Sequence, residues 1–347
     1  MLAIIWGHMD YLWSTSSVWF SSFKIAVFYV VVGLLKAYRY GERGQRDSCA
    51  QVMKKRWYSL VIYGVFSALA ILAHLAFLTI HGGSRLAALK GDVILTVTLR
   101  GVATLWFLPT LLIAELLFAA VRPEGWSAAK RILVCVLAPA ILCVIGYFYQ
   151  GMDIPGADRL WVQVVRNLFI VLAKSVSGFW FMLCGYLLYR RGKPQRLGRL
   201  PVLAVLLAVN LGLSLLSPDL DFNSFKLGSF APVFYLNGVL GSVAVLELLR
   251  WLEARIFLRP LIWCGRHSMF LMATHLPWQI APELLMLGKR FYLAQTPAAP
   301  YFLMMLAEFA VLMLIEAALV WCKEKVKAAM TGRWGKERPI CKAVKYL

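Results

Sequence analysis

The first 35 residues read MLAIIWGHMDYLWSTSSVWFSSFKIAVFYVVVGLL, in which apolar runs alternate with short polar breaks. The apolar run Leu2–Trp6 is followed by His8 and Asp10, and a second run, 23–35, carries Lys24 near its start. Titratable groups inside a bilayer are costly and mark functional sites, so these segments are expected to form one wall of a site. The alternative is that His8 only hydrogen bonds a neighbouring helix.

The composition of the whole chain indicates an integral membrane protein. Of its 347 residues 61% are hydrophobic and 16% are charged, and the mean hydropathy is +0.70. A soluble domain of this composition would have too little polar surface to cover its core. The seven cysteines are scattered and form no CxxC pair, so neither a disulfide framework nor a zinc site is expected.

Apolar segments of membrane-spanning length recur along almost the entire chain. About 20 apolar residues cross a bilayer as a helix, which predicts an all-α polytopic membrane protein with about ten transmembrane helices. The predicted spans are about 1–13, 18–35, 59–80, 101–121, 132–149, 161–189, 200–216, 229–250, 264–287 and 302–322. Residues 1–322 would form the integral-membrane domain and 323–347 a basic cytoplasmic tail.

The formal net charge of +20 comes mainly from short loops and the tail. Most of the 37 Lys and Arg lie in one alternating set of connections, 36–56, 122–131, 190–199, 250–259 and 323–345. The positive-inside rule places this set of connections, and the C-terminus, in the cytoplasm. The expected location of the protein is the inner membrane of the cell. The charge is therefore explained by topology, and no nucleic-acid module is visible.

Two other groups of histidines stand in or near apolar segments. His275 lies well inside the ninth predicted span and is a second candidate for proton transfer. His267 is eight residues before it, about 12 Å along a helix and too far to share a metal. His74 and His81 are seven residues apart without a carboxylate pair nearby in sequence, so no metal site is predicted there.

The fourth predicted span carries an intramembrane carboxylate. Pro109 within this segment would free a backbone carbonyl, and Glu115 follows it. Glu115 is expected to act in a site or to pair with a cation such as Arg166 or Lys174.

A basic cluster, Lys54, Lys55 and Arg56, precedes the third predicted span on its cytoplasmic side. Such a cluster can hold the phosphates of an anionic cytosolic donor. It can equally serve only to fix the topology.

Four motifs in this order resemble the acyltransferase 3 family of integral-membrane enzymes that O-acylate cell-surface carbohydrates. Leu2–His8 (LAIIWGH) is similar to the end of the family's first helix, with its catalytic histidine. Phe23–Gly33 (FKIAVFYVVVG) is similar to the family's Phe-His-Met-Pro-Leu-Phe-Phe-Phe-Ile-Ser-Gly, with Lys24 in place of His. Leu105–Leu108 (LWFL) matches a family segment, and Gly265–Ser268 (GRHS) with the later His275 resembles its Gly-Arg-Asn-Ser and downstream His.

The resemblance implies transfer of an acyl group, most often acetyl from acetyl-CoA, to a hydroxyl of a glycan or lipid-linked sugar. It implies His8 as the catalytic base and Arg56, with Lys54 and Lys55, as the donor-binding group at the cytoplasmic face. The expected cofactor is acetyl-CoA as donor substrate, without a metal, and the partners are the sugar acceptor and membrane lipids.

Three further side chains, Lys24, Arg100 and His275, are expected on the acceptor side or at the oxyanion, a role that polar donors fill in a dry site.

Two other functions remain open at this point. A multi-span carrier for an anionic metabolite would also use buried cations, although paired discontinuous helices in two corresponding halves are not evident. The second alternative is a degenerate, non-catalytic family member. It stays open because family members carry an Arg eleven positions before the catalytic His, and this Arg has no counterpart before His8. The family's Arg-x-x-Arg pattern likewise keeps Arg56 but has Ser59 at its second position.

Overall fold

The fold is seen in a computed structural model, which describes residues 1–347 except 10–14, 43, 45, 152–158, 191–199, 254, 256–257, 293–297 and 334–347. The described chain is almost entirely helical. Its one sheet is a hairpin of two strands, each two residues long. The helices are α1 (Leu2–Met9), α2 (Thr15–Ser21), α3 (Ala26–Glu42), α4 (Cys49–His81), α5 (Arg85–Val97), α6 (Phe107–Val121), α7 (Ala128–Gly151), α8 (Leu160–Arg190), α9 (Leu200–Leu215), α10 (Ala231–Glu253), α11 (Arg259–Arg266), α12 (Ser268–Thr274), α13 (Ile280–Tyr292) and α14 (Ala298–Arg333). The hairpin pairs β1 (Leu220–Asp221) with β2 (Lys226–Leu227) in antiparallel register.

The predicted all-α polytopic class is confirmed. Seven segments of the described chain are long and apolar enough to cross a membrane, and each corresponds to one of the ten predicted spans. They are Thr15–Gly41, Cys49–His81, Ala103–Gly125, Ala128–Gln150, Leu160–Tyr189, Ala231–Glu253 and Leu303–Ala329. Long apolar side chains on their outer faces are exposed, as in α7, where a lipid environment would cover them.

The described helices within the other three predicted spans are each shorter than a bilayer requires. The helix α1 has eight residues, and α9, although apolar, has sixteen. The predicted span 264–287 is wrong as a single helix, because α11, α12 and α13 divide it. Pro277 has no N–H to continue α12, and Gln279 adopts a left-handed φ of 60°, so the chain turns inside this segment.

Local sequence signals explain several helix ends. Ser48 starts α4 with a capping box, in which its hydroxyl accepts from the Gln51 N–H and the Gln51 side chain accepts from the Ser48 N–H. Arg122 ends α6 in the left-handed conformation, directly before Pro123. Pro109 lies in the first turn of α6, where a missing N–H is tolerated, so the expected freed carbonyl inside the span is not found.

The centre of the bundle is the crossing of α3 and α8, which pack more closely than their side chains alone would allow. A Cβ added at Gly33 would overlap the Met182 carbonyl, and one added at Gly185 would overlap the Val30 carbonyl. Small residues on both helices therefore let the two backbones touch, as in many membrane helix pairs. This crossing fixes the position of the start of α3. Lys24 lies just before that start.

The last helix continues past the predicted end of the membrane domain at Cys322 and runs to Arg333. The first part of the predicted tail is therefore helical. The remainder of that tail, like Asp10 near the first segment, lies outside the described residues.

Candidate functional site

A cavity of about 270 Å³ lies where α1, the start of α3, the start of α6, the hairpin and α12 meet. Its walls combine aromatic side chains with a small number of convergent polar groups, as in sites for small molecules. The lining residues are Ile4, Gly7, His8, Ser17, Ser21, Lys24, Ile25, Ala103, Thr104, Trp106, Phe107, Leu220, Asp221, Phe222, Asn223, Met272 and Leu276. The structure thus brings His8 and Lys24 into one wall.

His275 lies against the His8 ring. The ring centroids are 5.5 Å apart with their planes at 40°. His275 is completely buried, and its Nδ1 is 2.6 Å from the carbonyl oxygen of Leu271. A carbonyl can only accept, so Nδ1 carries the proton and Nε2 the lone pair. This Nε2 has no hydrogen-bond partner among the described residues.

The turn after α12 holds His275 in this position. The N–H of Ala281 donates to the His275 carbonyl at 2.8 Å, and the N–H of Trp278 donates to the Thr274 carbonyl at 3.1 Å. On the far side, the hydroxyl of Thr274 donates to the buried carboxylate of Glu316 in α14 at 2.6 Å. The break in the predicted ninth span therefore places an imidazole beside the cavity.

Lys24 approaches the backbone of α1 directly beside His8. A Cβ built on Gly7 would lie 2.6 Å from the Lys24 Nζ and 3.8 Å from the Ser17 hydroxyl. The missing side chain of Gly7 thus leaves the space that the ammonium group occupies. Sequence reasoning placed Lys24 at the depth of His8, and the structure shows that the two side chains line the same space.

The hairpin supplies a polar floor that sequence reasoning missed. The Oδ1 of Asp221 accepts from the N–H of Asn223 at 3.0 Å and so fixes the turn. Arg100 donates to both the carbonyl and the Oδ1 of Asn223, and Lys174 Nζ lies 3.3 and 3.4 Å from the same two atoms. Lys174 also lies 3.9 Å from the centroid of the Trp106 ring.

Arg100 is therefore near the cavity as expected, although it reaches the site through Asn223. A tight turn positions it, because a Cβ on Gly101 (φ 73°) would overlap the backbone of Trp106. Lys174 could have been found from sequence, since a lysine in the middle of the long apolar segment 160–189 is unusual. The hairpin residues give no such signal, because polar residues between spans are typical of loops.

The basic cluster is not part of the cavity. Arg56 forms a two-point ion pair with Glu115, and Lys36 lies 3.9 Å from the same carboxylate. The expectation that Glu115 pairs with Arg166 or Lys174 is wrong, because α6 turns this carboxylate towards α3 and α4.

The other two members of the basic cluster, Lys54 and Lys55, also lie at the beginning of α4. Lys55 pairs with Asp47, and Lys54 is exposed. Along α6, Glu115 is eight residues, about 12 Å, beyond the cavity-lining Phe107. The basic cluster on α4 thus meets α6 at Glu115, two helical turns away from the end of α6 that lines the cavity.

Each of the two remaining apolar-segment histidines has a carboxylate partner from a distant part of the sequence. His74 Nδ1 lies 2.7 Å from Asp92, and His81 Nε2 lies 2.9 Å from Glu283. Sequence spacing did not predict these pairs. Within the part of the chain that the structure describes, no group of three or more His, Cys, Asp or Glu could hold a metal ion.

Comparisons with known proteins give this chain no family name. No protein-family model matches the sequence. No curated protein sequence and no solved structure matches it either. A reaction for this cavity therefore has to be argued from its own residues and from the motif resemblance.

Proposed function

We propose that this protein is a membrane-bound O-acyltransferase that moves an acyl group, acetyl above all, from acyl-CoA to a hydroxyl of a cell-surface or lipid-linked carbohydrate. The observation that carries this proposal is the His8–His275 pair at the wall of a partly enclosed, largely apolar cavity that Lys24 also lines. The two histidines come from segments near opposite ends of the described chain. The four motifs that resemble acyltransferase 3 proteins support the same reaction.

The first chemical step assigned to this site is proton removal from the acceptor hydroxyl. His8 lines the cavity and is assigned to take the proton, because a neutral imidazole has a nitrogen lone pair that can accept one. The oxygen then bonds to the thioester carbonyl carbon, and the C–S bond breaks as the tetrahedral intermediate collapses. The CoA thiolate leaves and receives the proton from the imidazolium.

Lys24 and His275 assist this step in different ways. The Lys24 ammonium is assigned to the oxyanion of the tetrahedral intermediate, where a positioned cation in a dry site is most effective. His275 lies behind His8, and its Nε2 lone pair, which has no partner among the described residues, is assigned to accept a hydrogen bond from the His8 ring once that ring is protonated. The hydrogen bond from Nδ1 to Leu271 fixes this tautomer.

The basic cluster suits the phosphate end of an acyl-CoA. Four cations, Lys36, Lys54, Lys55 and Arg56, are accompanied by two carboxylates, Asp47 and Glu115, which leaves an excess of positive charge. An acyl-CoA has its phosphates at one end of a long arm and its thioester at the other. The distance along α6 between the cluster and the cavity requires a donor of this extended shape.

The proposed orientation puts this cluster, and the C-terminus, in the cytoplasm, where acyl-CoA is made, with an inner membrane as the location. Most Lys and Arg of the connections lie on the same side in this arrangement. The cavity then lies towards the outer face, where the sugar acceptor would enter.

Release of free thiol from acetyl-CoA by vesicles that contain the protein tests this proposal. With a surface-glycan extract present, we expect His8→Gln to lower the rate by about 10²- to 10⁴-fold, the usual contribution of general acid–base catalysis. The matched control is His81→Gln, which removes an imidazole that lies outside the cavity and should leave the rate unchanged.

Three results would contradict the proposal. Thiol release that is equal in the two variants would remove His8 from the reaction. Exchange of an anionic solute across the vesicle membrane, without any thiol release, would identify a carrier instead. Absence of both activities would favour a non-catalytic member of the family.

A further inference from the structure

We infer that the cavity holds an anionic group of its substrate, a carboxylate or a phosphate, where the word substrate rests on the proposed function. The site then takes a charged molecule and is not designed for a neutral sugar with an acetyl group alone. The observations that lead to this inference are the number of basic side chains in the cavity wall or directly behind it, and the partners that those side chains have.

Positive charge exceeds negative charge around the cavity. Lys24 lines it, and Arg100 and Lys174 both contact the lining residue Asn223. Asp221 is the one carboxylate among the described lining residues. Three basic side chains thus accompany one acidic side chain, so basic groups outnumber acidic groups at this site.

The two cations behind the hairpin have no anionic partner of their own. Arg100 and Lys174 share the same two acceptors, the carbonyl oxygen and the side-chain oxygen of Asn223, and both acceptors are neutral. Among the described residues, neither cation forms an ion pair within 4.0 Å. Lys174 is also completely buried.

Such an arrangement is unfavourable without a ligand. A buried charge without a counter-charge is strongly penalised, and removal from water strengthens its attraction for any anion that enters. The ring of Trp106, 3.9 Å from Lys174, offsets only part of this cost. An anion in the cavity would complete the charge balance, which is the usual reason for ionisable residues within a membrane protein.

The size of the cavity restricts the ligand. A volume of about 270 Å³ is near the lower limit of roughly 300–1,000 Å³ for small-molecule sites, which suits one sugar ring or one short acyl group. Trp106, Phe107 and Phe222 provide apolar walls for the uncharged part. The anionic group would lie towards Asn223 and the hydroxyl towards His8.

The same anionic group could come from two sources. The acceptor sugar could carry it, as a uronic acid or a sugar phosphate does. A dicarboxylic acyl group, such as succinyl, would instead bring a carboxylate with the donor. Binding experiments with matched charged and neutral ligands distinguish these sources.

Isothermal titration calorimetry on the full chain in phosphatidylcholine nanodiscs provides this test. Glucuronate and glucose 6-phosphate are compared with glucose, and succinyl-CoA is compared with acetyl-CoA. We expect the charged member of one set to bind at least about tenfold more tightly than its neutral counterpart, as one ion pair in a partly buried site provides. The set that shows the preference identifies the source of the anionic group.

Two variants of nearly unchanged shape should move this preference in opposite directions. Lys174→Met removes a cation and should reduce the preference about tenfold, whereas Asp221→Asn removes the carboxylate and should increase it. Asn can still accept from the Asn223 N–H, so the hairpin turn is retained. Lys90→Met on the exposed face of α5 is the control and should change nothing.

The inference is overturned if neither set shows a charge preference, or if Asp221→Asn weakens the preference as Lys174→Met does. The proposed reaction is judged separately. Charge-selective binding without acyl transfer would keep the anion site and reject the enzyme. Acyl transfer that is equally efficient to glucose and to glucuronate, and equally efficient from acetyl-CoA and from succinyl-CoA, would do the reverse.

Discussion

The contact between Gly7 and Lys24 allows the function of the ammonium group to be tested without removing it. In Gly7→Ala the new Cβ would lie 2.6 Å from the Lys24 Nζ, whereas ordinary contacts begin at 3.4 Å. The ammonium therefore has to move by about 0.8 Å. Lys24 is flexible, so this movement costs only about 0.5–1.5 kcal/mol if a rotamer is distorted.

The stability of the protein should hardly change in this variant. Alanine is favoured over glycine inside a helix by about 0.5–1 kcal/mol, which offsets the cost of moving Lys24. Catalysis should respond more strongly, because displacement of a catalytic group by about 1 Å can lower the rate about 10²-fold. We expect the rate of thiol release at saturating acetyl-CoA to fall by about 10- to 100-fold, with an unchanged melting temperature.

A double-mutant cycle with Lys24→Met identifies the cause of the loss. If Gly7→Ala acts by displacing the ammonium, it should have little further effect once Lys24 is replaced. Gly64→Ala is the control, since a Cβ at this glycine of α4 meets nothing within 4 Å. A wild-type rate in Gly7→Ala would refute the assignment of Lys24 to the oxyanion, as would an equal loss in the Lys24→Met background.

Two further predictions concern stability. Glu115→Gln leaves Arg56 without its ion-pair partner. We expect the free energy of unfolding to fall by about 1–3 kcal/mol, measured as a lower melting temperature in detergent. An unchanged melting temperature would show that the pair contributes nothing to stability. Gly185→Ala pushes a methyl group into the Val30 carbonyl and should lower the free energy of unfolding by about 1–3 kcal/mol or more. Gly212→Ala, with open space around it, should be neutral or stabilising. Equal melting temperatures for these two alanine variants would contradict the close crossing.

The helical class of the fold could be predicted from the sequence, because long apolar segments in a membrane can satisfy their backbone only as helices. The interruption between α12 and α13 could not be read from hydropathy. Residues 264–287 are mostly apolar, and a buried turn has the same composition as a buried helix. Pro277 was the available signal, but proline also occurs inside continuous helices such as α7, which contains Pro139.

Spacing alone predicted the site only where its residues are close in sequence, whereas Arg100 and His275 were assigned to it together with the motif resemblance. His8 and Lys24 stand on consecutive apolar segments, so their common depth was visible. The direction in which each face of a helix points was not visible from the sequence. The wrong ion-pair partners were therefore expected for Glu115. Asn223 lies on a connection between apolar segments, and only the folded chain shows that it receives both Arg100 and Lys174.

The packing of α1 also determines when the site is completed during synthesis. The rings of Trp6 and Phe309 lie 5.4 Å apart, and the α1 core residue Ile5 packs with Leu312 of α14. The helix α1 therefore reaches these partners only once α14 has been made, and His8 meets His275 only after the chain through α12 and His275 has been made. A ribosome-bound intermediate that ends before α12 would have no second imidazole. Under the proposed function, a partly made protein would therefore lack the complete site for acyl transfer.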